Sequence, residues 1–405
     1  MQDVYHLTGD KTVQPNQESF ETAIESWLRA SDEPAALERA QGIIDWMTTL
    51  YISSSNDLAK PHTSNFYPIL KYLANSCTLD GPILSEHIIQ HMQSLQMQQG
   101  IDTVGPDTMC FNIVMSSWLK SGDKNAEKHI TEIFDYMTKA QDLGSEDIKL
   151  DSSSYNIIIS SISNSIKKNE NMDIEGARRA DDLLTQLETN FKEGDDTLRP
   201  DTIIYNQVID YWAKTQPVKG HYLYAREVLD RQISMYEEFK VRKCRPDILG
   251  YTSVIAACAS TPFKSDTERQ NAFDLAHLTF MECSKSKYMS PNDVTYGIML
   301  KAVGRLLSKK EDKNRYAKTL FEICCSEGYL GQMAYQRMKM CTSDKMQHQL
   351  TGGRSYEELP KEWRRNVKNV RSHQQGQSRR RQQSDGSGSN KHQQTQTSKR
   401  GKLRP

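Results

Sequence analysis

A short phrase of residues returns along the chain at a nearly constant interval, and this repetition constrains the fold more than any other feature. The phrase consists of a proline or polar turn, an acidic or amide residue, an aromatic residue and then an apolar helical run. Its clearest copies begin at Pro106, Pro200 and Pro246. The aromatic residues of successive copies lie 44 to 50 residues apart, and they are Phe20, Phe66, Phe111, Tyr155, Tyr205, Tyr251 and Tyr296. Such a period indicates an array of structural repeats.

Each copy predicts a pair of helices. Proline cannot extend a preceding helix, and an Asp or Thr oxygen can cap the next one. A residue seven positions after each aromatic falls on the same helical face, and these residues are Trp27, Leu73, Trp118, Ile162, Trp212, Cys258 and Val303. A second apolar helix follows in each copy. Because no such pair buries its apolar face alone, stacking is obligatory, and the predicted fold is an all-α, right-handed superhelical α-solenoid.

The predicted organisation is one repeat array over residues 13–349, with repeats starting near 17, 63, 108, 152, 202, 248 and 293. Residues 1–12 are predicted to be the end of a preceding repeat or a linker, and 350–366 a capping segment in which Trp363 covers the last repeat. Residues 367–405 lack the apolar side chains needed to fold, so they are predicted to be a disordered tail.

Charge is divided unevenly between the array and the tail. The whole chain is formally neutral, but residues 361–405 hold thirteen Lys or Arg and only two acidic residues. Residues 1–360 therefore carry a net charge of −11, which does not favour phosphate binding. The basic tail could attach nucleic acid without sequence preference, or it could be a solubilising tail or a localisation signal.

The phrase and its two helices resemble the pentatricopeptide repeat family, most clearly in the copies near Pro106, Leu150, Pro200 and Pro246. The resemblance covers about residues 13 to 340, although these repeats are longer than the family's usual unit. It implies sequence-selective binding of single-stranded RNA, with about one base read per repeat, in organellar RNA processing, stability or translation. Tetratricopeptide and HEAT-like repeats, which would imply a protein-interaction scaffold, remain open as alternatives.

The resemblance also implies which residues read the bases. The main reader directly follows the aromatic, and its helper is the last residue of the turn that closes the repeat. The pairs are Asn112 with Asp151, Asn156 with Asp201, Asn206 with Asp247, and Thr252 with Asn292. In the family the first three resemble uridine readers and the fourth an adenosine reader, which implies a U-U-U-A core.

The chemistry of these residues allows a second interpretation. An Asn amide has donors and an acceptor that match a pyrimidine edge, and aliphatic residues at the helix starts could sandwich the base. Asn, Thr and Asp are also ordinary capping residues at helix starts. Three positions depart from the family pattern: Glu21 with His62, Tyr67 with Asp107, and Gly297.

No catalytic, phosphate-binding or cofactor motif is found, so a non-enzyme without cofactor or small-molecule substrate is predicted. His87 and His91 share a helix face but lack a third ligand, so a metal site is not predicted. No apolar run approaches the roughly 20 residues that span a bilayer. The family resemblance implies a mitochondrion or plastid, but early acidic residues such as Asp3 and Asp10 are unlike a transit peptide, which leaves the cytoplasm as the alternative.

Overall fold

A computed structural model of the protein describes residues 14–30, 34–54, 56–76, 78–168, 174–215 and 220–367. These ranges contain α-helices, short 3-10 turns and no strand. The helices are α1 (Gln17–Ala30), α2 (Pro34–Ser54), α3 (Tyr67–Ser76), α4 (Asp80–Gln99), α5 (Thr108–Ser121), α6 (Ala126–Asp142), α7 (Ser152–Lys168), α8 (Ile174–Lys192), α9 (Thr202–Lys214), α10 (His221–Phe239), α11 (Ile248–Ser260), α12 (Asp266–Lys285), α13 (Asp293–Leu306), α14 (Lys310–Glu327), α15 (Gln332–Cys341) and α16 (Asp344–Thr351). The predicted segment 1–12 and almost all of the predicted tail lie outside the described residues.

The first of two compact units comprises residues 1–290, and its helices form six consecutive hairpins, α1/α2 to α11/α12. The odd-numbered helices pack on one another in chain order, from α1 to α11. Each even-numbered helix from α2 to α10 packs on its own odd partner and on the odd helix of the next hairpin. The predicted all-α array of helical hairpins is therefore confirmed, while the handedness of the solenoid stays a prediction.

The second compact unit comprises residues 291–405 and contains a hairpin that the sequence did not lead us to expect. Helix α13 pairs with α14, and α15 then packs against α13 in the place of a further odd helix. Its aromatic, Tyr335, is buried and follows Tyr296 by only 39 residues, with Leu330 at the proline position and Gly331 at the position of the capping acid or amide. Trp363 lies edge-on to Phe321 of α14, with ring centroids 6.0 Å apart.

The recurring aromatic residues form the core of the array. All seven are buried, and Tyr205 is completely inaccessible. Six of the seven residues that follow them at the seventh position are buried as well, including Cys258. Trp27 is the exception, because its side chain stays 40% exposed with the Arg39 guanidinium 4.1 Å from the ring centroid. Burying the aromatic stripe of each odd helix is what holds successive hairpins together.

A hydroxyl group at the start of the odd helices links each hairpin to the next. Thr63, in the 3-10 turn (Thr63–Phe66) before α3, and Thr108, Ser152 and Thr202 each donate toward two backbone carbonyls of the following lead turn. The oxygen–oxygen distances are 2.7–3.3 Å. We call these contacts the inter-repeat hydroxyl bonds. They fix the lead turn of one repeat beside the first helix of the preceding repeat.

Candidate nucleic-acid interface

The helper residues are caps of the odd helices. The side chain of Asp201 accepts from the backbone N–H of Ile204 at 2.9 Å, and Asp247 accepts from Leu249 at 3.0 Å. Asn292 caps α13 in the same way, through the N–H of Thr295. Such a cap satisfies amides that have no partner within the helix. It also places each carboxylate at the helix start, beside the first turn of the preceding odd helix.

The structure brings three of the four predicted pairs together. The Asn112 amide nitrogen (Nδ2) donates to Asp151 Oδ1 at 3.0 Å, and Asn206 Nδ2 donates to Asp247 Oδ1 at the same distance. Asn156 Nδ2 lies 3.4 Å from Asp201 Oδ2. Each helper therefore caps its own helix and also holds the amide of the preceding repeat.

The fourth pair is divided between the two units. Thr252 lies on α11 in the first unit, and Asn292 precedes α13 in the second. Their pairing stays a prediction, as does the base preference assigned to all four pairs.

The three positions that depart from the family pattern have structural explanations. The Tyr67 hydroxyl donates to Asp107 Oδ2 at 2.5 Å, and burial raises the pKa of Tyr67. Glu21, whose helper position holds His62, accepts from the Asn65 amide at 3.2 Å. Gly297 packs closely against α15: a Cβ there would lie 2.9 Å from the sulfur of Met333, so that flexible side chain would have to shift.

Exposed aliphatic side chains occur at one recurring position, three residues before the reader. Met109 is 41% exposed, Ile203 61% and Leu249 60%. Residues three apart on a helix share a face, so each of these side chains lies beside the reader of its own repeat. Ser153 occupies the same position in the repeat that contains Asn156. An exposed apolar side chain beside a hydrogen-bonding amide can pack against the face of a flat ligand that has polar groups at its edge.

A surface pocket of about 460 Å³ joins these elements in the third repeat. Asn112 and Asp151 line it together with Met109, and Lys71 and Lys120 contribute two ammonium groups. A neighbouring pocket of about 430 Å³ shares Lys71 and Asn75 with it and is also lined by Glu21 and Tyr67. Residues of the odd helices α1, α3 and α5 line the two pockets. These helices therefore offer hydrogen-bonding, apolar and cationic groups in adjacent repeats.

Cations also recur four or eight residues after the reader position. They include Arg29, Lys71, Lys120 and Lys214 in the first unit. Two of them are ion-paired within their own helices: Arg29 with Glu25 and Lys214 with Asp210.

In the second unit Lys301 and Arg305 occupy the equivalent positions on α13. Burial, together with the positive charges of Arg305 and Arg337, lowers the pKa of Lys301.

The remaining chemistry of the described ranges is sparse. They hold no group of three or more His, Cys, Asp or Glu arranged for a metal ion. His87 is exposed, and His91 Nε2 lies 3.6 Å from Asp45. None of the described helices is both long enough and apolar enough to cross a membrane.

Comparison with known proteins gave similarity to solved structures. No family model matches the chain, and no curated protein matches it by sequence. Among solved structures, it is similar to the crystal structure of the pentatricopeptide repeat protein PPR10 from maize, with 14% identity and a TM-score of 0.24. The similarity covers 96% of this chain and 64% of that one.

Proposed function

We propose that the protein binds single-stranded RNA along its odd helices and reads about one nucleotide per repeat. The observation that carries this proposal is the Asn–Asp hydrogen bond that recurs in phase in three consecutive repeats. An ordinary cap needs only the Asp. It does not require an amide at a fixed position in the preceding repeat.

The chemistry of this arrangement fits a nucleobase. An aliphatic group such as Ile203 can cover a base face, while the adjacent Asn206 amide, once turned from its buried position, can offer a donor and an acceptor to the base edge. With the assignments that the family resemblance implies, Asn112, Asn156 and Asn206 would select uridine and Thr252 adenosine. The preferred core is then U-U-U-A, and the acting residues are the four reader–helper pairs.

Positive charge for the phosphates would come from two sources. Lys71 and Lys120 line the third-repeat pocket, and the tail adds a net positive charge beyond residue 366. Neutralising phosphates dominates nucleic-acid affinity, so an acidic array needs such local cations. We further propose that the protein acts in organellar RNA processing, stability or translation without catalysing a reaction itself.

A binding experiment with defined RNAs tests the proposal. Fluorescence anisotropy at near-physiological salt would compare a labelled RNA containing U-U-U-A with one in which the core is replaced by C-C-C-C. We expect the U-U-U-A RNA to bind more tightly to the parent protein. The double substitution Asn156→Ala and Asn206→Ala should weaken this binding and reduce the preference, because both amide contacts are lost.

Asn271→Ala is a matched control, since it removes an exposed amide from the even helix α12. It should leave both dissociation constants unchanged. If the double variant bound both RNAs as the parent does, the assignment of readers would be wrong. If the parent bound no RNA, a peptide-binding scaffold would be the better description of the array.

A further inference from the structure

The three Asn–Asp pairs differ in the hydrogen bonding of one atom, the amide oxygen (Oδ1) of the reader. Asn112 Oδ1 accepts a hydrogen bond from the Ser154 hydroxyl at 2.8 Å, and the same hydroxyl lies 3.0 Å from Asp151 Oδ1. The corresponding oxygens of Asn156 and Asn206 are buried and have no hydrogen-bond partner. The orientation of the amides is fixed by the helper: a carboxylate only accepts, so Nδ2 must face it and Oδ1 must face away. The difference therefore arises from whatever lies beside Oδ1.

That neighbour is the residue just before the buried aromatic of the next repeat. This residue is Ser154 for the reader Asn112, Ile204 for Asn156 and Gly250 for Asn206. A Cβ at Gly250 would lie 3.0 Å from Asn206 Oδ1, which places this position directly against the reader. Ser154 is completely buried and carries a hydroxyl donor, whereas Ile204 and Gly250 have no side-chain donor.

The same contact occurs in the first two repeats. Asn65 precedes the aromatic Phe66, is completely buried, and donates its amide to Glu21 Oε1 at 3.2 Å. Glu21 occupies the reader position of its repeat. The residue before the aromatic thus contacts the preceding reader both where that reader is an acid and where it is an amide.

We propose that the residue before each buried aromatic sets how strongly the reader of the preceding repeat selects its base. The hydrogen bond from Ser154 weakens base selection by Asn112. Ile204 and Gly250 have no side-chain donor, so base selection by Asn156 and Asn206 is not weakened in this way. This inference rests on the proposed RNA binding. To present its oxygen to the N3–H of a uridine, an Asn side chain must turn out of its buried position. Asn112 must break a hydrogen bond to do so, while Asn156 and Asn206 gain a partner that they lack.

The expected size of the effect follows from the net worth of one hydrogen bond, which corresponds to roughly three- to tenfold in an equilibrium constant. Uridine should therefore be selected least strongly at the position read by Asn112. Ser154→Ala removes the hydroxyl at small cost in volume and keeps both partners of the Asn112–Asp151 bond, although Asp151 Oδ1 also loses its contact with the hydroxyl. It should raise the preference for uridine at that one position by roughly three- to tenfold.

The test measures dissociation constants for RNAs that differ from the best-binding sequence at a single nucleotide, uridine or cytidine, at the positions read by Asn112 and Asn156. Ser161→Ala is the matched control, because Ser161 is a buried serine on the same helix whose hydroxyl donates to Ile158 O at 2.7 Å. The proposal predicts a rise for Ser154→Ala at the Asn112 position only, and no change for Ser161→Ala at either position.

The reverse change provides a second test. Gly250→Ser places a hydroxyl beside Asn206 Oδ1 and should lower uridine selectivity at the Asn206 position. If Ser154→Ala bound RNA with the parent's selectivity at the Asn112 position, or changed both positions alike, this inference would be overturned while the proposed function stood. If the parent bound no RNA, the proposed function would fail and the inference with it.

Discussion

The substitution Thr202→Val tests how the inter-repeat hydroxyl bonds hold the array together. The Thr202 hydroxyl lies 2.8 Å from the carbonyl oxygens of both Lys243 and Arg245, in the lead turn of the next repeat. Valine has nearly the same shape but no donor. The change therefore removes one net hydrogen bond and leaves a partly buried carbonyl without its partner.

The magnitude follows from these contacts. A typical hydrogen bond contributes roughly 0.5–1.5 kcal/mol, and an unsatisfied buried partner adds to its loss, so we expect Thr202→Val to cost about 1–2 kcal/mol. Because an array's stability depends on its nearest-neighbour interfaces, this loss should weaken the coupling between two hairpins. Urea unfolding followed by far-ultraviolet circular dichroism should show a midpoint lowered by roughly 0.5 M, for a slope of a few kcal/mol per molar.

Thr185→Val supplies the control for this measurement. The Thr185 hydroxyl is exposed and donates to Asp181 O of its own helix at 2.9 Å, so it links no two repeats. Its loss should change the free energy of unfolding by no more than about 0.5 kcal/mol. Equal midpoints for the two variants would refute the view that these hydroxyl groups couple neighbouring hairpins.

Three further predictions concern charge. Burial lowers the pKa of His221 below its ordinary value. The unfolded chain therefore binds more protons below about pH 6.5, and the free energy of unfolding should fall as the pH drops below that value. Urea titrations at two pH values should show a weaker dependence of the unfolding free energy on pH for His221→Gln than for the parent. The Arg226 side chain is 13% exposed and forms an ion pair with Glu282 at 2.7 Å. Arg226→Ala should therefore lower the free energy of unfolding by about 2–3 kcal/mol in the same assay. Arg29→Ala, which removes an exposed ion pair, should lower it by no more than about 0.5 kcal/mol. Deleting residues 367–405 should weaken the binding of all RNAs alike and reduce the slope of log affinity against log salt concentration.

Much of the fold could be predicted from the sequence because the same pattern of residues, set by the same physical requirements, occurs in seven repeats. An aromatic at a constant spacing, a residue at the seventh position after it and a capping residue before it each follow from one-dimensional pattern rules. The burial of Tyr205 and its counterparts confirms that pattern. The proximity of Asn206 and Asp247 was also predictable, since an in-phase array brings equivalent positions of adjacent repeats together.

The features that sequence reasoning missed depend on particular contacts. The hairpin of α15 and α16 has a shorter spacing, and Leu330 and Gly331 stand in place of the lead proline and the capping acid or amide, so it did not match the phrase. Trp27 fits the pattern but remains partly exposed beneath Arg39. The contact between Ser154 and Asn112 joins residues 42 positions apart, and nothing about a serine before an aromatic reveals that its hydroxyl reaches the preceding reader.

Selection of a random pool of single-stranded RNA on the purified protein, with and without residues 367–405, tests the central claim most directly. At near-physiological salt, we expect the protein lacking the tail still to enrich a U-U-U-A-like core, because the Asn–Asp pairs lie in the array. Binding that is lost with the tail, or that enriches no sequence without it, would contradict base reading by the repeats.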